Sequence, residues 1–280
     1  MTPRRFIQVD VFSPIPTQGN GLAVIVDALD LSDTQLQSFA AWTNLAETTF
    51  LLPPSDPSAD YRVRIFTPTM ELSFAGHPTL GSCAAWLHTG GIPKEDGIVR
   101  QECGIGIVEI DITEERLAFV APPTSIDTLP ATDLEAITHA LDIAPDAILR
   151  STRLNNGPVW QVLQLATAEH VLSVDSSRVR WPAFNAIGLI GSHPDGGESD
   201  YEVRMLAPSS GMSEDPITGS LNAALAFWLR EQGLLASSVI VSQGTVIGRS
   251  GRVHIRPDSS GEQILIGGDT HILIEGTVTL

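Results

Sequence analysis

The chain contains an internal repeat, which constrains its fold more than any other feature of the sequence. Residues 64–87 read RIFTPTMELSFAGHPTLGSCAAWL, and residues 204–229 read RMLAPSSGMSEDPITGSLNAALAFWL. Both segments place a polar residue and proline after a short loop, continue into Gly-Ser and end in Trp-Leu. Repetition at this scale marks duplicated supersecondary units. The sequence therefore predicts two related halves.

Each copy of the repeat predicts a strand, a loop and a helix. The runs 61–66 and 201–206 alternate polar and apolar residues, as strands do. Proline suits the first helical position because its missing N–H has no partner there. His77 and Asp215, which precede the prolines, are therefore the predicted N-cap residues. The helices that follow are almost uncharged over three turns, which is typical of helices buried on all sides.

The two helix starts are also candidates for anion binding. A helix start presents unpaired N–H groups and the positive end of its dipole, so two starts facing one cleft would bind a carboxylate. Two ordinary capped helices are the alternative interpretation. We favour a site because His77 and Asp215 stand at matching places in the sequence repeat.

Composition limits the classes of partner. The chain has 280 residues, of which 42% are hydrophobic, so it holds enough apolar material for two domains or one large one. Sixteen basic and 33 acidic residues give a net charge of −17. This charge argues against nucleic acid, whose phosphates require clustered Lys and Arg. No basic amphipathic stretch or long apolar run predicts a membrane partner.

The remaining sequence predicts the compartment and the domain boundaries. The N-terminal residues lack the apolar core of a signal peptide, and two cysteines do not form a disulfide framework, so we expect a cytoplasmic protein. Alternating runs and breaker residues predict an α+β fold in which each half is a sheet curled round a helix. We place the halves at 1–122 and 123–271, and expect a last strand, 272–280, to return to the first half.

Glu47 is the leading candidate for chemistry. It stands alone in LAETTF between a predicted helix and a strand, where burial would raise its pKa toward neutrality and suit it to acid–base catalysis. An exposed glutamate at a helix end is the alternative. His77 is a candidate acid, hydrogen-bond donor or cap, and Asp215 a candidate substrate ligand, partner of Glu47 or cap. Ser220 offers its hydroxyl and N–H to a carboxylate.

No metal or cofactor motif is present. The sequence has no HExxH, CxxC, Walker or GxGxxG pattern, so we expect no cofactor and no metal. Thiol-based racemases use two cysteines on opposite sides of the substrate, but Cys83 and Cys103 do not occupy matching repeat positions. We therefore interpret both cysteines as small buried apolar residues.

Several sequence blocks together resemble one known family. VDVFSPIPTQGNGLAVI, AETTF, RIFTPTMELSFAGHPTLG, SEDPITGS, QGTVIGRSGRVHI and the closing GTVTL resemble the PhzF-like phenazine-biosynthesis family from about Val9 to Leu280. The resemblance implies the diaminopimelate epimerase fold, with two similar domains, each a rolled, mostly antiparallel sheet around a central helix, and an active site in the cleft between them. It also implies a cofactor-independent proton shift and a homodimer.

The same resemblance implies roles for individual residues. In the similar phenazine enzyme the substrate is a dihydro-hydroxyanthranilate, and the glutamate that moves its proton falls on Glu47. The supporting histidine, aspartate and serine fall on His77, Asp215 and Ser220. The family often has Gly-Asn-Pro where this chain has Gly19-Asn20-Gly21, and a proline where it has Ser73.

The sequence thus predicts an isomerase that acts on a small carboxylate-bearing, amino-acid-like and possibly cyclic substrate. We expect backbone N–H groups near Gly76 and His77, and near Gly219 and Ser220, to bind the carboxylate, and Asn20 to bind the substrate. A non-catalytic small-anion-binding protein and an amino-acid racemase or epimerase remain the alternatives.

Overall fold

The structure, a computed structural model, describes residues 2–210, 212–235, 237–258 and 260–280. The helices are α1 (Asp33–Thr43), α2 (Gly76–His88), α3 (Ala131–Leu141), α4 (Ala168–Ser173) and α5 (Gly219–Glu231). The strands are β1 (Pro3–Val11), β2 (Asn20–Ile25), β3 (Glu47–Leu52), β4 (Tyr61–Phe66), β5 (Glu71–Leu72), β6 (Ile98–Cys103), β7 (Gly106–Asp111), β8 (Ala118–Val120), β9 (Ser125–Asp127), β10 (Ile148–Asn155), β11 (Val159–Leu165), β12 (Ile187–Ser192), β13 (Tyr201–Leu206), β14 (Glu214–Asp215), β15 (Val239–Gln243), β16 (Gly251–Pro257), β17 (Ile264–Gly267) and β18 (Thr270–Thr279).

The chain folds into two compact units, Met1–Val120 with Leu265–Leu280, and Ala121–Ile264. In the first unit the strands pair in the order β18-β1-β2-β3-β4-β6-β7-β8-β17, with the short β5 also paired to β4. The pairs β2–β3 and β4–β6 are parallel and the others antiparallel. Helix α2 contacts β1, β2, β3, β6, β8 and β18. The sheet is thus rolled around this helix.

The second unit repeats this topology. Its strands pair in the order β9-β10-β11-β12-β13-β15-β16, and the short β14 also pairs with β13. The pairs β11–β12 and β13–β15 are parallel, like the pairs β2–β3 and β4–β6 of the first unit. Helix α5 corresponds to α2, and it is buried along most of its length. The fold is the α+β, diaminopimelate epimerase-like fold.

The structural register of the repeat differs from the one that the sequence suggests. In the first unit Phe66 pairs with Glu71, in the second Leu206 pairs with Glu214, and each helix begins four residues after its short strand ends. His77 therefore corresponds to Ser220, and the prediction that it corresponds to Asp215 is wrong. The reason is the loop before the short strand, which has four residues, 67–70, in the first copy and seven, 207–213, in the second. Gly211, in the longer loop, lies outside the described residues.

The predicted N-caps are also wrong. The N-cap of α2 is Ala75 and that of α5 is Thr218, and neither side chain caps its helix. Pro78 is the third residue of α2, where its N–H would still have no helical partner, and Pro216 precedes α5 altogether. A helix start tolerates proline at several positions, so the prolines did not identify the first helical residue.

An arginine–glutamate pair joins the long and the short strand in each unit. In the first unit Arg64 binds Glu71 through two hydrogen bonds of 2.7 Å on the surface, and also contacts Asp33 at 2.6 Å. In the second unit Arg204 binds Glu214 at 3.0 and 2.7 Å, but both side chains are completely buried. The same pairing therefore exists in two electrostatic environments.

Each nitrogen of the buried guanidinium donates at least one hydrogen bond. Besides Glu214, Arg204 donates through Nη1 to the carbonyl oxygens of Val171 and Val174, at 3.0 and 2.6 Å, where α4 ends. It thereby ties α4 to the sheet beside the apolar cluster that includes Leu163, Leu189 and Leu206. A buried charge is tolerated here because each of its neighbours is a hydrogen-bond acceptor.

Within the described parts of the chain, every helix is too short or too polar to traverse a lipid bilayer.

The two arginines provide a matched test of burial. We expect Arg204→Leu to lower the free energy of unfolding by about 3–5 kcal/mol, because Glu214 is left as an uncompensated buried charge. Arg64→Leu, at the equivalent exposed pair, should cost about 1 kcal/mol or less. Urea denaturation followed by circular dichroism measures both values. Equal losses for the two variants would contradict this account.

Candidate active site

Glu47 lies at the very start of β3, next to β2. It pairs in parallel register with Leu22, and its side chain is only 15% exposed. This position contradicts the alternative of an exposed glutamate at a helix end, while the predicted rise of its pKa stays a prediction. Parallel pairing puts Glu47 on the same face of the sheet as Leu22, and therefore as Asn20, two residues earlier.

His77, the second residue of α2, brings these two side chains together. Its Nε2 lies 3.4 Å from Oε2 of Glu47, and its Nδ1 lies 3.2 Å from Nδ2 of Asn20. Because an amide nitrogen is a donor, Nδ1 must accept, and the ring proton of a neutral imidazole is then on Nε2. Nε2 of His77 consequently lies close to the Glu47 carboxylate, although the two atoms do not form a hydrogen bond.

Burial fixes the protonation state of this histidine. His77 is 3% exposed, and desolvation lowers its pKa to about 3. At neutral pH it is thus an uncharged hydrogen-bond donor rather than an imidazolium acid. Of the roles left open by the sequence, the N-cap role is excluded, because Ala75 is the N-cap of α2, and donation of a hydrogen bond to a substrate stays a prediction.

A close contact between α2 and the sheet sets the position of His77. Gly81, one turn further along α2, lies so near the strands that an added Cβ would come within 2.6 Å of Leu22 and 3.0 Å of Val11. The next residue, Ser82, donates a 2.9 Å hydrogen bond to Thr49 of β3. Glycine and serine therefore let the helix approach the face that carries Glu47, which brings the His77 ring within reach.

Asn20 is held by the turn that precedes β2. The backbone N–H of Gly19 donates to the buried carboxylate of Asp10 at 2.9 Å, and Asn20 itself pairs with Val11. A Cβ on Gly19 would lie 2.4 Å from the carbonyl oxygen of Val11, so glycine is required there. The Gly21 that replaces the family's usual proline leaves this arrangement intact, since Gly21 pairs with Asp10 in the β1–β2 ladder.

In the second unit, Asp215 belongs to a buried network at the start of α5. The hydroxyl of Thr218 donates to the carboxylate of Asp215. Gln243, fully buried at the end of β15, accepts from the N–H of Thr218 at 3.0 Å and donates to the Thr218 hydroxyl at 2.9 Å. It also donates to the Asp215 carbonyl oxygen at 3.2 Å. This amide fixes the loop that leads into Gly219 and Ser220.

Asn156 forms a hydrogen bond with the backbone of Ser220. Its amide nitrogen donates to the Ser220 carbonyl oxygen at 2.8 Å, and its own oxygen accepts from the indole N–H of Trp160 at 3.0 Å. In both units, therefore, an asparagine near the start of the second strand bonds the second residue of the central helix. Sequence reasoning missed Asn156 and Gln243. Gln243 opens a block used for the family resemblance, whereas Asn156 lies in none of those blocks.

The backbone N–H groups predicted to bind an anion belong to the first turns of α2 and α5. Gly76 and His77 open α2, Gly219 and Ser220 open α5, and neither turn is capped by a side chain. All four residues are buried. The first unit thus combines Glu47, His77 and Asn20, while the second combines Asp215, Ser220 and Gln243.

Both thiols are stabilised in their neutral form. Cys83 is completely buried in α2, and desolvation raises its pKa well above the ordinary value. Cys103 is partly buried at the end of β6, and burial raises its pKa as well. A racemase thiol needs the opposite shift, because the thiolate is the reactive form.

The sequence matches the profile of the family described as phenazine biosynthesis-like protein over residues 9–276. It is 34% identical to the Schizosaccharomyces pombe protein named antisense-enhancing sequence 1, with 99% of both chains covered. It is 31% identical to trans-2,3-dihydro-3-hydroxyanthranilate isomerase of Pseudomonas aeruginosa, with 93% of this chain and 92% of the relative covered. The crystal structure of a Bacillus anthracis phenazine biosynthesis protein of the PhzF family superposes with a TM-score of 0.82 at 22% identity, covering 100% of both chains.

The low pKa of His77 predicts a pH-dependent stability. Below about pH 6.5 the unfolded chain protonates this residue, while the folded protein keeps it neutral down to about pH 3. Between these two pH values the unfolded state binds more protons than the folded state. The free energy of unfolding should therefore decrease as the pH is lowered, by up to about 1.4 kcal/mol per pH unit. Urea denaturation between pH 7 and 4 should show a shallower decline for His77→Gln. An unchanged slope would contradict a buried neutral His77.

Proposed function

This chain belongs to the phenazine biosynthesis-like protein family, and we propose that it is an isomerase that shifts a proton within a small carboxylate-bearing substrate without a cofactor. A relative that is 31% identical is named an isomerase. A proton taken from one carbon and returned to another in the same molecule needs no oxidant, reductant or second substrate. One side chain that both accepts and donates a proton is therefore sufficient.

The contact between Glu47 and His77 carries this proposal. The Glu47 side chain is 15% exposed, so a substrate carbon has access to it, and the neutral imidazole of His77 lies 3.4 Å from its Oε2. Glu47 removes a proton from the activated carbon as the base and returns it to another carbon as the acid. Acid–base catalysis of this kind contributes roughly 10²–10⁴-fold to the rate.

We further propose that the substrate is a cyclic amino acid. Trans-2,3-dihydro-3-hydroxyanthranilate, which the Pseudomonas aeruginosa relative is named for, is a ring that carries an amino group and a carboxylate. The N–H groups of Gly76 and His77 are the proposed ligands of the carboxylate in the first unit, and the N–H groups of Gly219 and Ser220 are the proposed anion-binding groups of the second unit. Asn20 binds substrate and also orients His77, and Asp215 positions the loop before α5 through Thr218.

The contrast with a thiol-dependent epimerase supports this mechanism. Desolvation raises the pKa of both Cys83 and Cys103, so neither is prepared to act as a thiolate base. A partly exposed carboxylate, by contrast, is a group that can act as a general base and then as an acid. We accordingly place the chemistry on Glu47 rather than on a cysteine pair.

The decisive variant is Glu47→Gln, which keeps the shape of the side chain but removes its proton transfer. We expect turnover of trans-2,3-dihydro-3-hydroxyanthranilate, or of a cyclic amino acid found by screening, to fall by about 10²-fold or more. Substrate affinity, measured by calorimetry, should stay within about threefold. Incorporation of deuterium from D₂O into the substrate should disappear together with turnover.

Ser220→Ala is the matched control, because it removes the hydroxyl that Ser220 is predicted to offer to a carboxylate and leaves the base in place. It should raise KM with little change in kcat, which is the pattern of lost ground-state binding. Wild-type turnover by Glu47→Gln would refute the assignment of the base. A wild-type protein that binds these compounds without turnover or deuterium exchange would instead be the small-anion-binding protein left open by the sequence.

We propose, finally, that the protein is a homodimer. Strand β18 pairs along one side with β1, and Leu273 and Ile274 on it are 40% and 52% exposed. A long strand with exposed apolar side chains is a surface that proteins commonly cover. Sedimentation equilibrium should give twice the 29.9 kDa mass of one chain, and Ile274→Lys should shift the mass toward the monomer. A monomeric wild-type protein would disprove this.

A further inference from the structure

A second group of functional side chains lines a cavity of about 500 Å³ in the second unit. Glu202 of β13 pairs with Gly191 of β12, whose added Cβ would contact Thr167 and Val171 at α4. Gly188, three residues before Gly191, faces Leu221 of α5 instead. Glu202 therefore points to the α4 side of the sheet, whereas α5 with Ser220 lies on the other side.

The Glu202 carboxylate forms the floor of this cavity and is bonded on one side only. The residue is 1% exposed. Its Oε2 accepts a 2.5 Å hydrogen bond from Ser242 and lies 3.2 Å from Nε2 of His193, which is also 3.0 Å from the Ser242 hydroxyl. Its Oε1 has no hydrogen-bond partner among residues 2–210, 212–235, 237–258 and 260–280. A buried carboxylate oxygen without a donor is a strong acceptor.

The charges around the cavity favour a cation. Asp195, Glu198 and Glu202 contribute three carboxylates to its lining, and Arg252 contributes one guanidinium. Arg252 is the neighbour of Ser242 in the β15–β16 ladder, but it pairs with the exposed Glu198 at 3.3 Å. The cationic side chain is thus engaged at the rim, while the buried carboxylate below it is held by Ser242 and His193.

The fold does not require an acid at this position. In the structural register of the repeat, Arg62 of β4 corresponds to Glu202, and Glu102 of β6 corresponds to Ser242. Those two residues form an ion pair of 3.9 Å in the first unit, with Arg62 substantially exposed. At the equivalent strands the second unit has a buried glutamate and a serine, together with a histidine. Its acidic cavity therefore depends on the side chains of this unit and not on the shared topology.

We propose that this cavity binds a small organic cation, whose ammonium group donates to Oε1 of Glu202. An ammonium carries the positive charge that the carboxylates attract and the N–H donors that Oε1 needs. The cavity volume lies in the range of small-molecule sites. The proposal concerns the α4 side of the second unit and does not depend on the isomerase activity.

The test uses 1,4-diaminobutane as the probe and 1,4-butanediol, which has the same length but no charge, as its control. Calorimetry on the wild-type protein should show saturable binding of the diamine and none of the diol. Glu202→Gln should weaken diamine binding about tenfold or more, because it replaces the charged acceptor. Glu47→Gln should leave diamine affinity unchanged, since its carboxylate belongs to the first unit.

A crystal of the wild-type protein soaked in the diamine gives a readout that does not depend on a variant. Density for a nitrogen within hydrogen-bond distance of Glu202 Oε1 would support the proposal. Three results would overturn it: no saturable binding to the wild type, equal binding of the diol, or affinity that is lost in Glu47→Gln and retained in Glu202→Gln. Failure of the isomerase assay would leave these outcomes unaffected.

Discussion

The close approach of a central helix to the strands rolled around it is the constraint on which the rest of this structure depends. At Gly81 the helix α2 lies so near β1 and β2 that a single added carbon would collide with Leu22. The bond from Ser82 to Thr49 fixes the rotation of the helix over the sheet. Only at this separation does the ring of His77 reach both Asn20 and Glu47. Packing density in the core thus sets geometry at the candidate site.

The same packing buries His77 and both cysteines and thereby shifts their pKa values. The enclosed His77 cannot hold a charge, so its pKa falls to about 3 and it stays neutral close to the Glu47 carboxylate. A charged histidine would form a fixed ion pair with Glu47, which would hold the carboxylate in its ionised form and oppose its action as an acid. The neutral ring places no such charge beside Glu47, which is compatible with the acid–base role proposed for it. Enclosure of the cysteines has the parallel effect of keeping both thiols protonated.

Duplication supplied two copies of one topology, and the copies have since diverged in chemistry. The position of Glu47 is occupied in the second unit by Ala186, and that of His77 by Ser220, by the register of the paired strands. An arginine–glutamate pair is exposed in the first unit and buried in the second. The two units therefore share one strand topology, and they differ in the side chains placed at equivalent positions. The same freedom explains the acidic cavity around Glu202, where the first unit has Arg62.

The sequence alone determined the duplication, the α+β class and the central buried helices, because periodicity and small residues are local signals, and an isolated acid made Glu47 the candidate base. The start of α1 likewise carries a local signal, since Ser32 and Gln35 form a capping box. The sequence misplaced the starts of α2 and α5, because proline is compatible with several positions in a first turn. Tertiary structure decided the true register of the repeat, the contacts of Asn156 and Gln243, and the protonation of His77. Those properties arise from residues far apart in the chain that desolvate and bond one another, and no local pattern records them.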